Sequence, residues 1–144
     1  MKVFIENEAG KAIKNIHDEK SLEFKKAYDV SRPYPYPYGF ILDTTSGDGD
    51  NLDCFVLTTQ ELRTGQVIEC EPIALMKQVE NGKEDYNVLA IIKGQPAHLT
   101  SAVQEVLTQF VLHVFDHLES IRDMRVEGFE GREATIAYIE SCKD

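Results

Sequence analysis

Short apolar runs separated by turn-forming residues occupy the first two thirds of the chain. Three of them are Lys2 to Ile5, Gly39 to Leu42 and Cys54 to Leu57, and each has the length and the β-branched or aromatic content of a strand. The last two flank a stretch rich in aspartate and glycine. The pattern predicts β-structure in this part of the chain.

A longer alternating segment follows, from Gln66 to Val79, and after the turn pair Asn81-Gly82 comes a second apolar segment, Tyr86 to Gly94. Asn-Gly between two strand-like segments is a strong hairpin signal, so a long hairpin is predicted over Gln66 to Lys93. Pro72 lies inside it and indicates a bulge, a bend or an edge position.

The apolar period changes to that of a helix from Thr100 to Ser120, where Thr100 or Ser101 can serve as N-cap. A second, shorter helix is predicted from Glu130 to Cys142. About five strands with unequal loops are consistent with a small barrel, and strands followed by helices are typical of an α+β domain.

The composition suits one globular domain over residues 1–144, with 42% hydrophobic and 28% charged residues. No apolar run approaches the ~18 residues of a membrane span, and the start turns acidic before a signal-peptide core develops. A soluble, cytoplasmic protein without membrane attachment is therefore expected. The three cysteines lack metal-site spacing and are expected to be reduced.

The charge distribution argues against one class of partner. The formal net charge is −10, and the 15 Lys and Arg residues are scattered. Binding to bare nucleic acid needs a clustered basic face, so no nucleic-acid partner is expected. If such a protein handles a phosphate compound, metal ions must supply most of the positive charge.

The stretch "SGDGDNLDCFVL", Ser46 to Leu57, places Asp48, Asp50 and Asp53 at the start of an apolar run. A solvated turn explains Asp48 and Asn51, but Asp53 directly precedes the apolar run, where an unpaired carboxylate is costly. The spacing does not match an EF-hand loop. Three convergent carboxylates with a hard cation, Mg²⁺ or Mn²⁺, are the alternative to a simple turn.

Two further segments carry candidate chemistry. The turn "ENGKED" holds Glu80, Glu84 and Asp85, which a barrel can place beside the Asp48 loop, although a solvated turn is again the simpler interpretation. The tract "RPYPYPYGF" holds three tyrosines at alternating positions, and phenol hydroxyls can donate to phosphate oxygens. The tract also fits a stiff aromatic surface strand or a polyproline ligand for a partner.

The region "YPYPYGFILDTTSGDGDNLDCFVLT" resembles the signature of the soluble, Mg²⁺-dependent (family I) inorganic pyrophosphatases. The matching residues are Tyr34, Pro35, Tyr38, Gly39, Phe40, Asp48, Asp50, Leu52 and Asp53. The similarity extends to "VFIE" ending at Glu6, to "LMKQVENGKEDYNVLAI" and to "VEGF" between the two predicted helices.

This resemblance implies a five-stranded barrel of the oligonucleotide/oligosaccharide-binding (OB) type with about two C-terminal helices, which hydrolyses pyrophosphate to two phosphates. Asp50 would be the general base for a metal-bound water. The expected cofactor is Mg²⁺, several ions per site, with Mn²⁺ as an alternative; the expected assembly is a homo-oligomer, a hexamer in short family members. The implied metal ligands are Asp48, Asp53, Asp85, Glu80 and Glu6, and the implied phosphate contacts are Lys14, Lys26, Tyr34 and Tyr38.

The chain also departs from the family pattern. Asn51 replaces a proline, which is expected to loosen the turn, and Lys26 replaces an arginine. Asn87 stands where a lysine is expected, and Phe115-Asp116 aligns with a Tyr-Lys pair. The chain keeps the carboxylates of the family pattern but has fewer of its basic residues. This favours retained chemistry with altered affinity, metal demand or substrate.

Two alternatives remain at this point: a divergent paralogue acting on another phosphoanhydride, and a non-catalytic metal- or anion-binding barrel. Arg122 and Arg125 are candidates for compensating cations.

Overall fold

The computed structural model describes residues 1–119 and 122–144. The strands are Lys2–Asn7 (β1), Ile13–His17 (β2), Phe24–Asp29 (β3), Tyr38–Ile41 (β4), Asp53–Val56 (β5), Val67–Glu80 (β6), Lys83–Glu84 (β7), Asn87–Ile92 (β8) and Met124–Glu130 (β9). The helices are Ser101–His113 (α1) and Arg132–Ser141 (α2).

Five strands form a closed ring in the order β1-β4-β5-β8-β6, and β6 returns to pair with β1. All neighbours are antiparallel except β5 and β8, which run parallel. Closure leaves no unpaired edge within the ring. The predicted α+β architecture, a five-stranded OB-like barrel with C-terminal helices, is confirmed.

Strand β5 shows why its sequence is continuously apolar. Cys54 and Val56 pack into the core inside the ring, whereas Phe55 points to a second core beside α1. The Phe55 ring lies 6.1 Å from that of Phe110 on the helix. A strand that is buried on both faces cannot alternate between apolar and polar residues.

The predicted long hairpin is confirmed by the antiparallel pairing of β6 with β8. Its turn residues Asn81 and Gly82 both have positive φ, 51° and 78°, as a tight hairpin turn requires. The register shifts between Pro72 and Ala74, which is the predicted bulge. The short β7 extends the tip of β6.

The hairpin of β2 and β3 was not predicted from the sequence. Every residue of β3 is exposed, so no apolar period marks this strand. The two strands form a separate sheet beside the ring. Strand β9 was recognised only as the "VEGF" segment between the helices, and it pairs with the C-terminal half of β6, from Leu75 to Glu80.

Helix α1 begins as predicted, because the Thr100 side chain accepts a hydrogen bond from the Val103 N–H at 3.2 Å. It ends at His113, so the predicted extension was wrong over residues 114–119, and Ser120 lies outside the described residues. Ser31 is the physical reason: its N–H donates to the Val114 carbonyl at 2.9 Å and its hydroxyl to that of His113. These carbonyls would otherwise accept from the next helical turn.

Helix α2 is shorter than the predicted Glu130 to Cys142, because Glu130 belongs to β9 and Gly131 is the N-cap. Cys54, Cys70 and Cys142 are all free thiols. Across the described residues, neither helix has the length and apolar character needed to cross a bilayer.

Candidate active site

A cleft of about 640 Å³ opens between one end of the ring, the β2–β3 hairpin and the segment that follows α1. Carboxylates dominate its lining: Glu6, Asp18, Glu19, Asp48, Asp50, Asp53, Glu80 and Asp85. The basic side chains in the lining are Lys14, Lys20, Lys25 and Arg122. All the acidic residues assigned to metal binding or to the general base therefore meet in one cleft, although they come from three separate stretches of the chain, whereas Glu84 of the predicted acidic cluster does not line it.

The acidic loop between β4 and β5 is held by its own turn. The Asp48 carboxylate accepts hydrogen bonds from the Ser46 hydroxyl and from the Asp50 N–H, the latter at 2.9 Å. Gly49 has a φ of +89°, which suits glycine. The loop is thus both a turn and part of the cleft lining, so the solvated-turn interpretation and the metal-site interpretation of this stretch do not exclude each other.

Asp53 and Asp85 are brought together by the parallel pair in the ring. Asp53 starts β5 and is in register with Asn87 of β8, so Asp85 lies just before the matching end of the neighbouring strand. Burial raises the pKa of Asp53 well above its usual range; Asp85 adds to this and Lys14 opposes it. The pKa of Asp85 is also raised, first by burial and then by Glu80 and Asp48.

Glu6, at the end of β1, is buried and is already bound within the protein. Its Oε2 accepts the His17 N–H at 2.9 Å and lies 3.3 Å from the His17 Nδ1. Burial raises the pKa of Glu6, and the His17 N–H and the charge of Lys14 act in the opposite direction. Glu6 is therefore restrained from turning toward a ligand by its contacts with His17.

The donor set fits a hard cation, since crowded carboxylates with raised pKa values are stabilised when a divalent ion shares their charge. The chain does not hold a finished coordination shell, however. Within residues 1–119 and 122–144, no three His, Cys, Asp or Glu side chains are already gathered in a metal-binding arrangement. The predicted ligands share a cleft and would still have to turn toward an ion.

Lys14, Tyr34 and Tyr38 line the cleft, and the Lys14 charge and a Tyr38 hydrogen bond both oppose the raised pKa of Asp53. The Lys14 Nζ lies 5.6 Å from the centre of the Tyr38 ring and 5.9 Å from that of Phe115. Tyr34 is buried, and its ring lies 5.5 Å from the Tyr38 ring. Burial raises the pKa of both phenols, so both hydroxyls keep their protons as possible donors.

The alternation expected for the tyrosine tract is not fully realised. Tyr34 and Tyr38 line the cleft, but Tyr36 does not, because the chain bends between them instead of running as a strand. Lys26 is exposed on β3, and Lys25 is the residue of this pair that lines the cleft.

Asn87, which the sequence identified only as a lost cation, has a structural role. Its side-chain N–H donates to the Gln78 Oε1 at 2.7 Å, and the Gln78 Nε2 donates to the Asp85 Oδ2 at 3.1 Å. The two amides thus hold one of the predicted ligands. Gln78 carried no sequence signal, since a lone glutamine within a strand is indistinguishable from an ordinary polar position.

The Phe115-Asp116 departure affects the cleft less than its charge suggests. Phe115 lines the cleft, but the Asp116 carboxylate lies 2.8 Å from the His113 Nδ1 and is not part of the lining. The reversed charge is therefore directed at His113 and not at the cleft.

Two acidic residues of the cleft lining, Asp18 and Glu19, were missed by sequence reasoning, and Glu19 acts on the acidic loop. Its Oε1 accepts the Asn51 N–H at 3.1 Å, so the backbone at the position of the lost proline is tied down. Burial, followed by the nearby charge of Asp50, raises the pKa of Glu19 to about 7. Glu19 is 32 residues from Asn51, and only the fold reveals that the two meet.

The two arginines considered as compensating cations differ in position. The Arg122 Nη1 lies 3.0 Å from the Glu80 Oε1, and its guanidinium carbon lies 4.7 Å from the centre of the Phe115 ring. Arg122 thus lines the cleft. Arg125 is exposed, bonds to Asp123 at 3.0 Å and is not in the lining.

Comparison with protein families gives one match over nearly the whole chain. The family described as "Pyrophosphatase: Inorganic pyrophosphatase" matches residues 3–144. The inorganic pyrophosphatase of Saccharolobus solfataricus is 31% identical over 156 residues, covering 98% of this chain and 91% of that protein. The Escherichia coli K12 inorganic pyrophosphatase is 34% identical over 115 residues, covering 74% of this chain and 65% of that protein.

Solved structures give the same result. An inorganic pyrophosphatase from Coxiella burnetii superposes with a TM-score of 0.85 at 26% identity and covers 99% of this chain and 92% of that one. The inorganic pyrophosphatase from Thermus thermophilus gives a TM-score of 0.87 at 25% identity, covering 99% and 88%.

Proposed function

Because the chain belongs to the inorganic pyrophosphatase family, we propose that it hydrolyses inorganic pyrophosphate to two phosphates with a divalent metal, Mg²⁺ being the expected ion. The observation that carries this proposal is the single cleft in which the acidic loop, the Asp85 turn and Lys14 meet. A pyrophosphate anion needs cations, and the carboxylates need them as well. Metal ions bound between them satisfy both requirements.

The residues that would hold the metal are Asp48, Asp53 and Asp85, with Glu80 and Glu6 as further ligands. When bound, the ions would neutralise phosphate charge and make a water molecule more acidic. The Gln78 amide orients the Asp85 carboxylate, as second-shell donors commonly do around metal ligands.

Asp50 is the proposed general base. Its side chain is exposed at the cleft, and its backbone is fixed by the hydrogen bond to Asp48. The oxygen of a water molecule attacks one phosphorus atom, the bond from that phosphorus to the bridging oxygen breaks, and the proton of the water passes to the Asp50 carboxylate. The bridging oxygen leaves with the other phosphate.

Lys14, Tyr34 and Tyr38 are the proposed phosphate contacts in the cleft, where an ammonium group and two protonated phenols can donate to phosphate oxygens. Lys26 stays a predicted phosphate contact, although the neighbouring Lys25, and not Lys26, lines the cleft. We also expect a cytoplasmic homo-oligomer, a hexamer by family resemblance, which light scattering on the purified protein would test.

The test is phosphate release from pyrophosphate with Mg²⁺, comparing the parent chain with Asp50→Asn. A general base contributes roughly 10²-fold or more to turnover, so a loss of that size in kcat is expected. Asp43→Asn is the matched control, because Asp43 is exposed nearby but does not line the cleft. If the parent protein releases no phosphate from pyrophosphate or short polyphosphate with Mg²⁺ or Mn²⁺, the enzyme proposal is wrong.

Asn87 favours a second candidate, a non-catalytic metal- or anion-binding barrel, because it stands where the family pattern has a lysine. Calorimetry separates the two: tight binding of Mg²⁺ or phosphate without any product from pyrophosphate supports this second function. Turnover of another phosphoanhydride in preference to pyrophosphate would instead indicate a divergent paralogue.

A further inference from the structure

The basic side chains of the cleft are few and not equivalent. Three of them are lysines, and the fourth, Arg122, carries the guanidinium. A lysine ammonium is a point charge, whereas a guanidinium presents planar N–H pairs that match two oxygens of one phosphate group. Neither Asn87 nor Asp116 brings a positive charge to the cleft. Arg122 is therefore the side chain best suited to a two-point phosphate contact.

Two contacts hold the Arg122 guanidinium in place. One N–H group is directed at Glu80, 3.0 Å away, and the guanidinium carbon lies 4.7 Å from the Phe115 ring centre. Lys14 lies against the same ring at 5.9 Å, so the two cations share the Phe115 wall of the cleft. An arginine that is fixed before the ligand arrives loses less rotational freedom on binding.

Toward the described residues, Arg122 makes one hydrogen bond, to Glu80, which leaves other donors for a ligand. A guanidinium has five N–H donors, and its contact with Glu80 is made through Nη1 alone. The side chain keeps 33% of its surface exposed, so it is anchored without being buried. Glu80 retains its second carboxylate oxygen and can hold Arg122 while facing the cleft.

We infer that Arg122 contacts a phosphate group of the substrate and is a specificity-determining residue of this cleft, with Glu80 and Phe115 positioning it. The inference rests on the proposed function and extends it, since it assigns to Arg122 the positive charge that Asn87 and Asp116 do not supply. It also gives Glu80 a role beyond metal binding, because the Glu80 carboxylate orients the guanidinium.

The experiment compares Arg122→Gln, Arg122→Lys and the matched control Arg125→Gln. Arg125 lies three positions away, has 68% of its side chain exposed and is not part of the cleft lining. With saturating Mg²⁺, Arg122→Gln should raise KM for pyrophosphate roughly tenfold or more, because each lost hydrogen bond to a charged group has about a tenfold effect, while kcat changes far less. Arg122→Lys should fall between, because it keeps the charge but loses the fork.

A second measurement does not depend on turnover. Calorimetric titration with inorganic phosphate in the presence of Mg²⁺ should show weaker binding to Arg122→Gln than to the parent chain or to Arg125→Gln. If the parent chain lacks pyrophosphatase activity, the proposed function fails while this titration still tests the phosphate contact. Thermal unfolding identifies any variant that does not fold, and Arg122→Lys then carries the comparison.

Equal KM values and equal phosphate affinities for Arg122→Gln and Arg125→Gln would overturn the inference. So would a loss confined to kcat, because a residue that grips the ground-state phosphate must act on binding.

Discussion

Replacing Glu19 by glutamine should stabilise the metal-free protein at alkaline pH. The glutamine keeps an oxygen that can accept the Asn51 N–H, so the tie to the acidic loop survives. What it removes is a half-buried negative charge facing Asp50 and Asp48. The substitution therefore separates the charge of this residue from its hydrogen bond.

The expected size follows from the pKa of Glu19, which rises from 4.5 to about 7 because of burial and then Asp50. A shift of this size corresponds to about 3.4 kcal/mol at most, and partial exposure reduces it to about 1–2 kcal/mol. The folded chain binds the proton more tightly than the unfolded chain. The contribution of Glu19 to stability is therefore fully present below about pH 4.5 and is lost as the pH rises through about 7.

The assay is thermal or urea unfolding in EDTA at low salt, near about pH 5 and about pH 8. At the higher pH, Glu19→Gln should exceed the parent by roughly 3–6 °C in Tm, and the difference should shrink at the lower pH. Glu23→Gln is the control, because Glu23 is an exposed acid on the same segment and lies outside the cleft lining. An equal gain at both pH values, or none at about pH 8, would refute the reasoning.

Two other substitutions test the framework of the site. Gly39→Ala should lower stability by about 3 kcal/mol or prevent folding, because the new Cβ would lie 1.7 Å from the Phe4 carbonyl oxygen. Gly47→Ala is the control, since a Cβ at position 47 meets nothing within 4 Å. Near-equal urea midpoints for the two variants would contradict this prediction. Gln78→Leu removes the amide that donates a hydrogen bond to Asp85. The Mg²⁺ concentration for half-maximal phosphate release should therefore rise roughly tenfold. An unchanged Mg²⁺ dependence would contradict this prediction.

The parts of the fold that could be predicted are those with an internal signal. The β6–β8 hairpin has its Asn81-Gly82 turn, α1 has its apolar period and N-cap, and β5 has a continuous apolar run. Strand β3 has no such signal, because it is exposed throughout and is held by its pairing with β2. The end of α1 could not be predicted either, since Ser31 sets it from a distant segment.

The same division applies to the site. The place of Asp48, Asp50 and Asp53 in one cleft could be predicted from the sequence, because their spacing carries the resemblance and they lie within six residues of one another. Glu19 and Gln78 could not, because each acts on a residue that only the fold brings near. A side chain that positions another residue cannot be recognised in a single sequence, since any polar residue of suitable length can make the same hydrogen bond.

The two asparagines that depart from the family pattern have a common physical consequence. The backbone N–H of Asn51 binds Glu19, and the side chain of Asn87 binds Gln78 and, through it, holds Asp85. Each places a hydrogen-bond donor where it restrains the acidic side of the cleft, and neither adds positive charge. The carboxylates are thus restrained, and under the proposed function Lys14 and Arg122 would carry more of the phosphate contact. Substrate affinity in this chain should therefore depend more steeply on bound metal than it would with a lysine at position 87, because the ions must supply the charge that the protein does not.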